Sequence, residues 1–267
     1  MSLVKLGHIE NLIRQAVIHP GKKDLKVKLI IEFCFMYLDI AIIEKINGKS
    51  SIIAKNANCV VDLFLKYLPT KAFTRPYVKV NIYLTFRPDE NNKIESVTNM
   101  IDYYLFFNFE YYQKVAKKFD KKKYILEAVL NAMLKISEIK RWNKDFFFDA
   151  YNNCLKGNLI NEWWFNKKFF IAPNGKYSIG IYNVYDIDKY EIWLVLFDDA
   201  QNELSRLLVF KDEFMSFELE FAAWESSDYF TFKFKGPNKI FRYSSSHILG
   251  GIPLELPKRT SDYFKPL

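Results

Sequence analysis

The hydrophobic pattern of the chain changes its period twice along its length. Apolar and polar residues alternate from Leu25 to Phe33 and again from Val78 to Phe86. A period of two is typical of strands with one buried face. The stretch 38–46 is predicted to be a further strand. The first part of the chain is therefore expected to contain a sheet.

Two local signals organise the segment between these strands. Asn47 and Gly48 accept the positive φ angles of a tight hairpin turn. Beyond them, apolar residues at helical spacing favour a helix from about Asn56 until Pro69, because proline ends a helix. For residues 49–55 the sequence does not decide between a strand and a helix.

The middle of the chain is predicted to form three helices. Helical spacing over 97–119, with apolar residues nearly all round, indicates a central, buried helix. A second helix is predicted from Asp120, its expected N-cap, to Ile139. A third is predicted from about Lys144 to Gly157, where glycine can adopt a left-handed cap.

From Trp163 onward the period returns to two, which predicts an antiparallel meander of about six strands. Turn residues at 173–175 and 236–238 separate some of these strands. Thr231 and Lys233 are expected on a wet strand face. The predicted strands are 169–172, 177–181, 190–197, 217–221, 230–234 and 240–243.

Together these elements predict an α+β protein. It is expected to have an N-terminal mixed α/β segment, a helical middle and a C-terminal antiparallel β-meander. The predicted domains are residues 1–157, a mixed α+β segment with a helical bundle, and residues 158–267, an antiparallel sheet domain. A chain of 267 residues has enough length for one large domain or two small ones.

Charge is divided between the two ends of the chain. Residues 1–170 carry 28 Lys and Arg against 17 Asp and Glu, whereas residues 171–267 carry 11 against 14. The net charge of +8 therefore combines a basic first part with an acidic last part. A partner meets the local field of each part, so the two parts are expected to attract different partners.

Cysteine use and the absence of targeting signals predict a soluble, cytoplasmic protein. Cys34, Cys59 and Cys154 are odd in number and widely spaced, which disfavours a disulfide framework or a zinc site. No secretory signal is evident in the sequence. The longest apolar stretch, 29–43, is interrupted by charges and is shorter than the roughly 20 residues that span a membrane.

Candidate catalytic groups are few, and no cofactor motif is present. Ser244-Ser245-Ser246-His247 contains a hydroxyl and an imidazole, but sequence neighbours on an extended chain face opposite ways. A polar loop after the last strand is favoured instead. The cysteines are interpreted as packed thiols rather than activated thiolates.

Asp186 and Asp188 are the leading candidates for metal ligands, because carboxylates at i and i+2 can share a divalent cation. A turn between two strands, where Asp is common, is the favoured interpretation. His8, His19 and His247 have no zinc-binding spacing.

Two charged clusters are candidates for partner binding. A basic cluster can bind nucleic acid. For the basic cluster of this chain, however, a solvated junction between two helices is the favoured interpretation. The basic cluster is Lys117, Lys118, Lys121, Lys122 and Lys123, with Lys140, Arg141 and Lys144 at the far end of the second helix. Because charges usually face water, an ordinary solvated sheet face is the favoured interpretation of the second cluster. The functional hypothesis is one negative surface that binds another protein and is formed by this acidic cluster. Its residues are Asp198, Asp199, Asp212, Glu213, Glu218 and Glu220, with Glu225 and Asp228 nearby.

In general character the chain resembles bacterial immunity proteins, which neutralise a toxin by occluding it. This resemblance rests on small size, solubility, aromatic content and the lack of catalytic motifs. It implies a non-enzymatic protein-binding module whose partner is another protein, such as a basic toxin domain. A metal-dependent enzyme with dispersed carboxylates is the alternative, and a nucleic-acid-binding protein is the third hypothesis.

Overall fold

The computed structural model describes residues 38–44, 52–69, 74, 76–165, 169–212, 219–234 and 240–250. Within these residues the protein is α+β, as predicted. The chain forms two compact units, residues 1–160 and residues 161–267. The division of the chain into two domains at residue 157 stays a prediction.

Four strands in residues 1–160 form a mixed sheet. They are β1 (Asp39–Glu44), β2 (Lys79–Thr85), β3 (Ile94–Val97) and β4 (Met100–Phe106). The order across the sheet is β1-β2-β4-β3. Strands β1, β2 and β4 are parallel, and β3 pairs antiparallel with β4.

The alternating sequence of β2 explains its two faces. Val80, Ile82 and Leu84 are buried, and in the register of the sheet Val80 lies beside Ile101 of β4. The opposite face is polar, with the Asn81 amide donating a 2.7 Å hydrogen bond to the Asp102 carboxylate. The apolar face therefore forms the core side of the sheet.

The helices of this unit are α1 (Ile52–Lys66), α2 (Phe109–Lys114), α3 (Lys118–Lys140) and α4 (Asp145–Lys156). Helix α1 packs against β1, and helices α1, α3 and α4 contact one another. In their core Phe64 and Phe147 stack with ring centroids 6.5 Å apart. The helical middle of the predicted fold is thus present in α3 and α4.

The predicted helix over 97–119 is wrong. Residues 100–106 form β4, in which Ile101 and Tyr103 are fully buried on one face. Strand pairing with β2 and β3 satisfies the backbone of this segment. Helix α2 begins only after Asn108, whose side chain accepts a 2.8 Å hydrogen bond from the backbone N–H of Tyr111. The expected buried helix is replaced by a buried strand.

The ends of the remaining helices differ in detail from the predictions. Helix α1 begins at Ile52, before the expected Asn56, and the Glu44 carboxylate accepts a 2.7 Å hydrogen bond from the N–H of Ala54 in its first turn. Asp120 lies in the first turn of α3, and Lys117 is its N-cap. The expected left-handed cap at Gly157 is wrong, because its φ is −83°.

Residues 161–267 contain two antiparallel sheets. The first sheet has the order β5-β7-β8-β9, with β6 also pairing with β7, and the second has the order β10-β11-β12. The strands are β5 (Glu162–Trp164), β6 (Phe170–Ile171), β7 (Tyr177–Asp186), β8 (Lys189–Asp198), β9 (Glu203–Asp212), β10 (Leu219–Trp224), β11 (Tyr229–Phe234) and β12 (Ile240–Ser244).

Aromatic side chains join the two sheets of this unit. Phe210 of β9 lies 5.4 Å from Phe234 of β11, and Phe170 of β6 lies 5.5 Å from Phe230, all between ring centroids. Phe232 is fully buried in the same layer. One face of the β5–β9 sheet therefore packs against the β10–β12 sheet and forms the core.

Several predictions for this unit are confirmed. Gly175 has a φ of +70° in the turn before β7, and the predicted strand over 190–197 is present as β8, between β7 and β9. The final sheet is a meander. A single meander of about six strands is wrong, however, because the strands form two sheets, and β5 and β9 are two strands that were not predicted.

Two smaller predictions for this unit are corrected. Thr231 is only 2 % exposed rather than on a wet face, and its hydroxyl donates to the Ala223 carbonyl at 3.2 Å. The expected polar loop at Ser245 is helix α5 (Ser245–Gly250). The Ser244 hydroxyl accepts the His247 N–H at 3.1 Å, which stabilises the first turn of that helix.

Some predictions lie outside the described residues. They are the strand from Leu25 to Phe33, the turns at 47–48 and 236–238, and the roles of Cys34, His8, His19, Glu213 and Glu218.

Candidate functional site

The second face of the β5–β9 sheet carries a continuous set of aromatic side chains. We call it the aromatic face; its residues are Trp164, Phe169, Tyr182, Trp193 and Phe197. Trp164 and Trp193 flank Tyr182 on the two neighbouring strands, directly opposite it in the register. The Trp164 and Tyr182 rings lie 4.7 Å apart, and Phe169 lies 5.1 Å from Phe197. Cross-strand contacts of this kind hold the side chains in fixed positions.

The aromatic face is partly open to solvent. Phe169 is 42 % exposed, and Trp164, Tyr182 and Trp193 are half-buried. Phe197 is 9 % exposed, and its ring contacts those of Trp164 and Phe169. The face therefore presents large aromatic surface from a rigid sheet.

Gly180 of β7 makes this packing possible. A Cβ atom at position 180 would lie 2.6 Å from Cζ3 of Trp164 and 2.9 Å from Cε1 of Phe169. The indole ring covers the backbone of the strand at the one residue that has no side chain. Glycine in a strand marks such a close approach.

Charged groups beside the aromatic face are held in ion pairs. The Glu191 side chain is 7 % exposed, and its carboxylate lies 2.9 Å from Nζ of Lys189 and 3.7 Å from Nζ of Lys211. The same carboxylate accepts a hydrogen bond from Nε1 of Trp193 at 3.3 Å. Because this carboxylate is both paired and bonded to the indole, it fixes the orientation of Trp193.

A similar arrangement surrounds Tyr182, which lies between Trp164 and Trp193. The Tyr182 hydroxyl donates to the Glu162 carboxylate, and the Arg206 guanidinium lies 5.8 Å from the tyrosine ring centroid. Arg206 also donates two hydrogen bonds to Glu203, at 2.7 and 2.8 Å. Burial, followed by the hydrogen bond to Glu162, raises the pKa of Tyr182 to about 12, so the phenol stays neutral at physiological pH.

The acidic cluster predicted from sequence is dispersed over this unit. Asp198 ends β8 and Asp199 follows it, whereas Asp212 pairs in the register with Tyr190, near the other end of the strand. Eight residues of strand separate Tyr190 from Asp198, which corresponds to about 26 Å. Glu220 lies on β10 with its carboxylate 3.0 Å from Nζ of Lys233. The structure does not bring these four described residues together.

Asp198 has a structural role in its hairpin. Its carboxylate accepts hydrogen bonds from the backbone N–H and the side-chain amide of Asn202, at 2.7 and 2.9 Å. These bonds lower the pKa of Asp198. Asp199 is exposed in the same turn. Binding of a partner by these residues stays a prediction.

The candidate metal ligands lie in the predicted turn. Asp186 ends β7 and accepts the N–H of Ile187 at 2.8 Å, and Asp188 immediately precedes β8. Across the described part of the chain, no group of three or more His, Cys, Asp or Glu side chains is placed to hold a metal ion. The turn interpretation is confirmed.

The basic cluster begins at the junction between α2 and α3 and continues into the first turns of α3. Lys117 caps α3, and the other four lysines occupy its first two turns. Nζ of Lys122 donates to the Leu159 carbonyl at 3.0 Å, and Nζ of Lys121 lies 5.4 Å from the Tyr112 ring centroid. At the far end of α3, Nζ of Lys140 donates to the Tyr77 hydroxyl at 2.8 Å. Part of the cluster is therefore engaged in structural contacts.

The two described cysteines are buried free thiols. Burial raises the pKa of Cys154 to about 12, and the Cys59 thiol donates to the Asn56 carbonyl at 3.3 Å. Since the thiolate is the nucleophile, neither position suits covalent catalysis. The interpretation of Cys154 as a packed thiol is consistent with this burial.

We expect both thiols to be unreactive in the folded protein. In a Cys34→Ser variant, Ellman's reagent at pH 8 should detect no fast-reacting thiol, because at that pH only about one in ten thousand Cys154 thiols is ionised. Addition of guanidinium chloride should release two thiols. Reaction of either thiol within seconds in native buffer would contradict this burial.

Comparison with known proteins identifies no relative. No protein family, curated protein or solved structure matches the chain. None of the helices in the described part of the chain is long and apolar enough to span a membrane.

Sequence reasoning did not identify the aromatic face. Two signals pointed to it: Gly180 inside an apolar strand pattern, and the large aromatic side chains of Trp164 and Trp193 in the part of the chain that has a period of two. The register between strands, which places the rings side by side, follows only from the structure.

Proposed function

We propose that this protein is a non-enzymatic protein-binding module that recognises its partner through the aromatic face. The observation that carries the proposal is the placement of Trp164, Tyr182 and Trp193 side by side on adjacent strands, with Arg206 over the tyrosine ring. Trp, Tyr and Arg are the residues most enriched among those that dominate interface energetics. Ion pairs at its border supply the polar rim that interfaces have.

The shape of the aromatic face favours a protein over a small molecule. A face of three adjacent strands is broad, whereas small ligands bind in concave pockets that bury most of their surface. The side chains are already ordered by mutual contacts and by the hydrogen bond between Trp193 and Glu191. Such ordering lowers the entropy lost on binding.

The proposed partner is a basic protein in the cytoplasm. Residues 171–267 carry 14 acidic against 11 basic side chains, so this part of the chain attracts a positively charged surface. Occlusion of a basic toxin domain, as by an immunity protein, is the specific form that we propose. In that case one equivalent of the protein should inhibit the partner's activity completely.

The test is capture of the partner followed by quantitative binding. Full-length protein with an affinity tag is used to isolate the partner from the native cell, and the purified partner is then titrated against variants. Trp193→Ala should weaken binding by about thirtyfold, as for a central interface tryptophan. The control is Phe148→Ala, which removes an aromatic ring that is 42 % exposed on α4 and should leave affinity unchanged.

Charge steering is tested separately from the aromatic contacts. Asp199→Lys should slow association with a basic partner several-fold at low salt and should leave dissociation nearly unchanged. Thermal unfolding must show that each variant is folded before its affinity is interpreted. Unchanged affinity in folded Trp193→Ala would rule out the aromatic face as the binding surface.

A further inference from the structure

A surface pocket of about 500 Å³ lies beside α2 and the first turns of α3, in residues 1–160. Three lysines and two tyrosines contribute to its lining. They are Lys114, Lys117, Lys123, Tyr111 and Tyr124. Its volume is within the range of about 300–1,000 Å³ that is typical of sites for small ligands.

The aromatic part of the pocket combines a fixed ring with an open one. The Tyr124 ring packs 4.9 Å from the Phe107 ring, and its hydroxyl accepts the Asn108 N–H at 3.3 Å. The Tyr111 ring meets Tyr124 edge to face at 5.0 Å but remains 52 % exposed. A planar group can therefore stack on the open part of Tyr111.

The charged part of the pocket favours an anion. The pocket lining holds three lysines against two carboxylates, Asp120 and Glu127. Three more lysines lie in the same stretch of chain, at positions 118, 121 and 122. Lys114 is paired with Glu110, but both side chains are about three-quarters exposed, so the pair is readily exchanged for another anion. Nζ of Lys123 lies 3.9 Å from the Glu127 carboxylate, at the limit of an ion pair.

We propose that this pocket binds a nucleoside diphosphate or triphosphate. The phosphates lie among Lys114, Lys117 and Lys123, and the base stacks on Tyr111. Lysines act as point charges toward phosphate oxygens, and aromatic side chains stack on any base. The inference concerns the unit that does not contain the aromatic face, so it does not rest on the proposed protein-binding function.

The experiment is a titration of the full-length protein with ADP in low salt. Binding is measured by calorimetry or by the displacement of a fluorescent ADP analogue. Lys117→Gln should weaken ADP binding by about fivefold, and Asp120→Asn should tighten it about twofold because a repelling charge is removed. The matched control is Lys135→Gln, which removes an exposed lysine farther along the same helix and should change nothing.

The aromatic contact is tested by comparing two ligands. Tyr111→Ala should weaken ADP binding by about fivefold or more, the effect of losing one stacked base, and should leave pyrophosphate binding unchanged. Adenosine, which lacks phosphate, should bind far more weakly than ADP.

Three results would overturn the proposal. The first is no heat or displacement with millimolar ADP at low salt. The second is ADP binding that is equal in Lys117→Gln and the wild type. The third is a single-stranded oligonucleotide that binds more tightly than ADP and loses affinity in Lys117→Gln, which would assign the pocket to nucleic acid. Unchanged thermal transitions in the exposed-lysine variants exclude unfolding as the cause of lost binding.

Discussion

Replacement of Phe232 by alanine is expected to lower the free energy of unfolding by about 3–5 kcal/mol, the range for large aromatic residues in a core. Phe232 is fully buried between the two sheets of residues 161–267. Its ring lies 5.2 Å from Phe241, 5.4 Å from Phe234 and 5.8 Å from Tyr243. Denaturant unfolding followed by tryptophan fluorescence measures the loss.

The control for this substitution is Phe221→Ala in the neighbouring strand. Phe221 is 39 % exposed, so we expect its removal to cost less than about 1 kcal/mol. Equal losses for the two variants would contradict the assignment of Phe232 to the interior of the unit.

The second large effect is expected at Gly180. Gly180→Ala should destabilise the protein by about 1–3 kcal/mol, the usual cost of adding atoms to a closely packed site. The new methyl group would meet the Trp164 ring at 2.6 Å, so the indole must move. We expect a changed tryptophan emission spectrum together with lower stability. If the aromatic face binds a protein, this variant should also lose affinity.

A second glycine and a double substitution provide the controls. At Gly157 an added Cβ would meet its nearest neighbour at 3.4 Å and the backbone φ is −83°, so Gly157→Ala should be nearly neutral. In the Gly180→Ala, Trp164→Ala double variant, the clash with the indole is gone. The double variant should therefore lose less stability than the sum of the losses in the two single variants. Additive losses would show that the indole is not the obstacle.

The fold class was predicted correctly because long segments of the sequence keep a single hydrophobic period. The strand over 78–86 and the helix over 120–139 each have a long run of one period, and their structures follow that period. The helix prediction for 97–119 was wrong because apolar residues near positions 101 and 104 fit both the helical period and the strand period. Its true partner, β2, lies about twenty residues earlier in the chain, and parallel pairing with β2 stabilises the strand. Local spacing carries no information about such a neighbour.

The candidate site was harder to predict than the fold for the same reason. Acidic residues were grouped because they fall in predicted turns and on one predicted wet strand face, but Asp198 and Asp212 lie at opposite ends of the sheet. The aromatic face depends on the pairing of Tyr182 with both Trp164 and Trp193, which the register determines. A one-residue shift between these strands would turn each ring to the other face.

The parallel pairing of β1 with β2 also affects the order of folding. Asp39 pairs with Lys79, about forty residues later, whereas in the β7–β8 hairpin Asp186 pairs with Lys189 across a two-residue turn. Closing the longer loop loses more chain entropy before any contact is gained, and folding rates fall as the mean sequence separation of contacts rises. The hairpins of residues 161–267 are therefore expected to form early, and the sheet of residues 1–160 to assemble as the slower step.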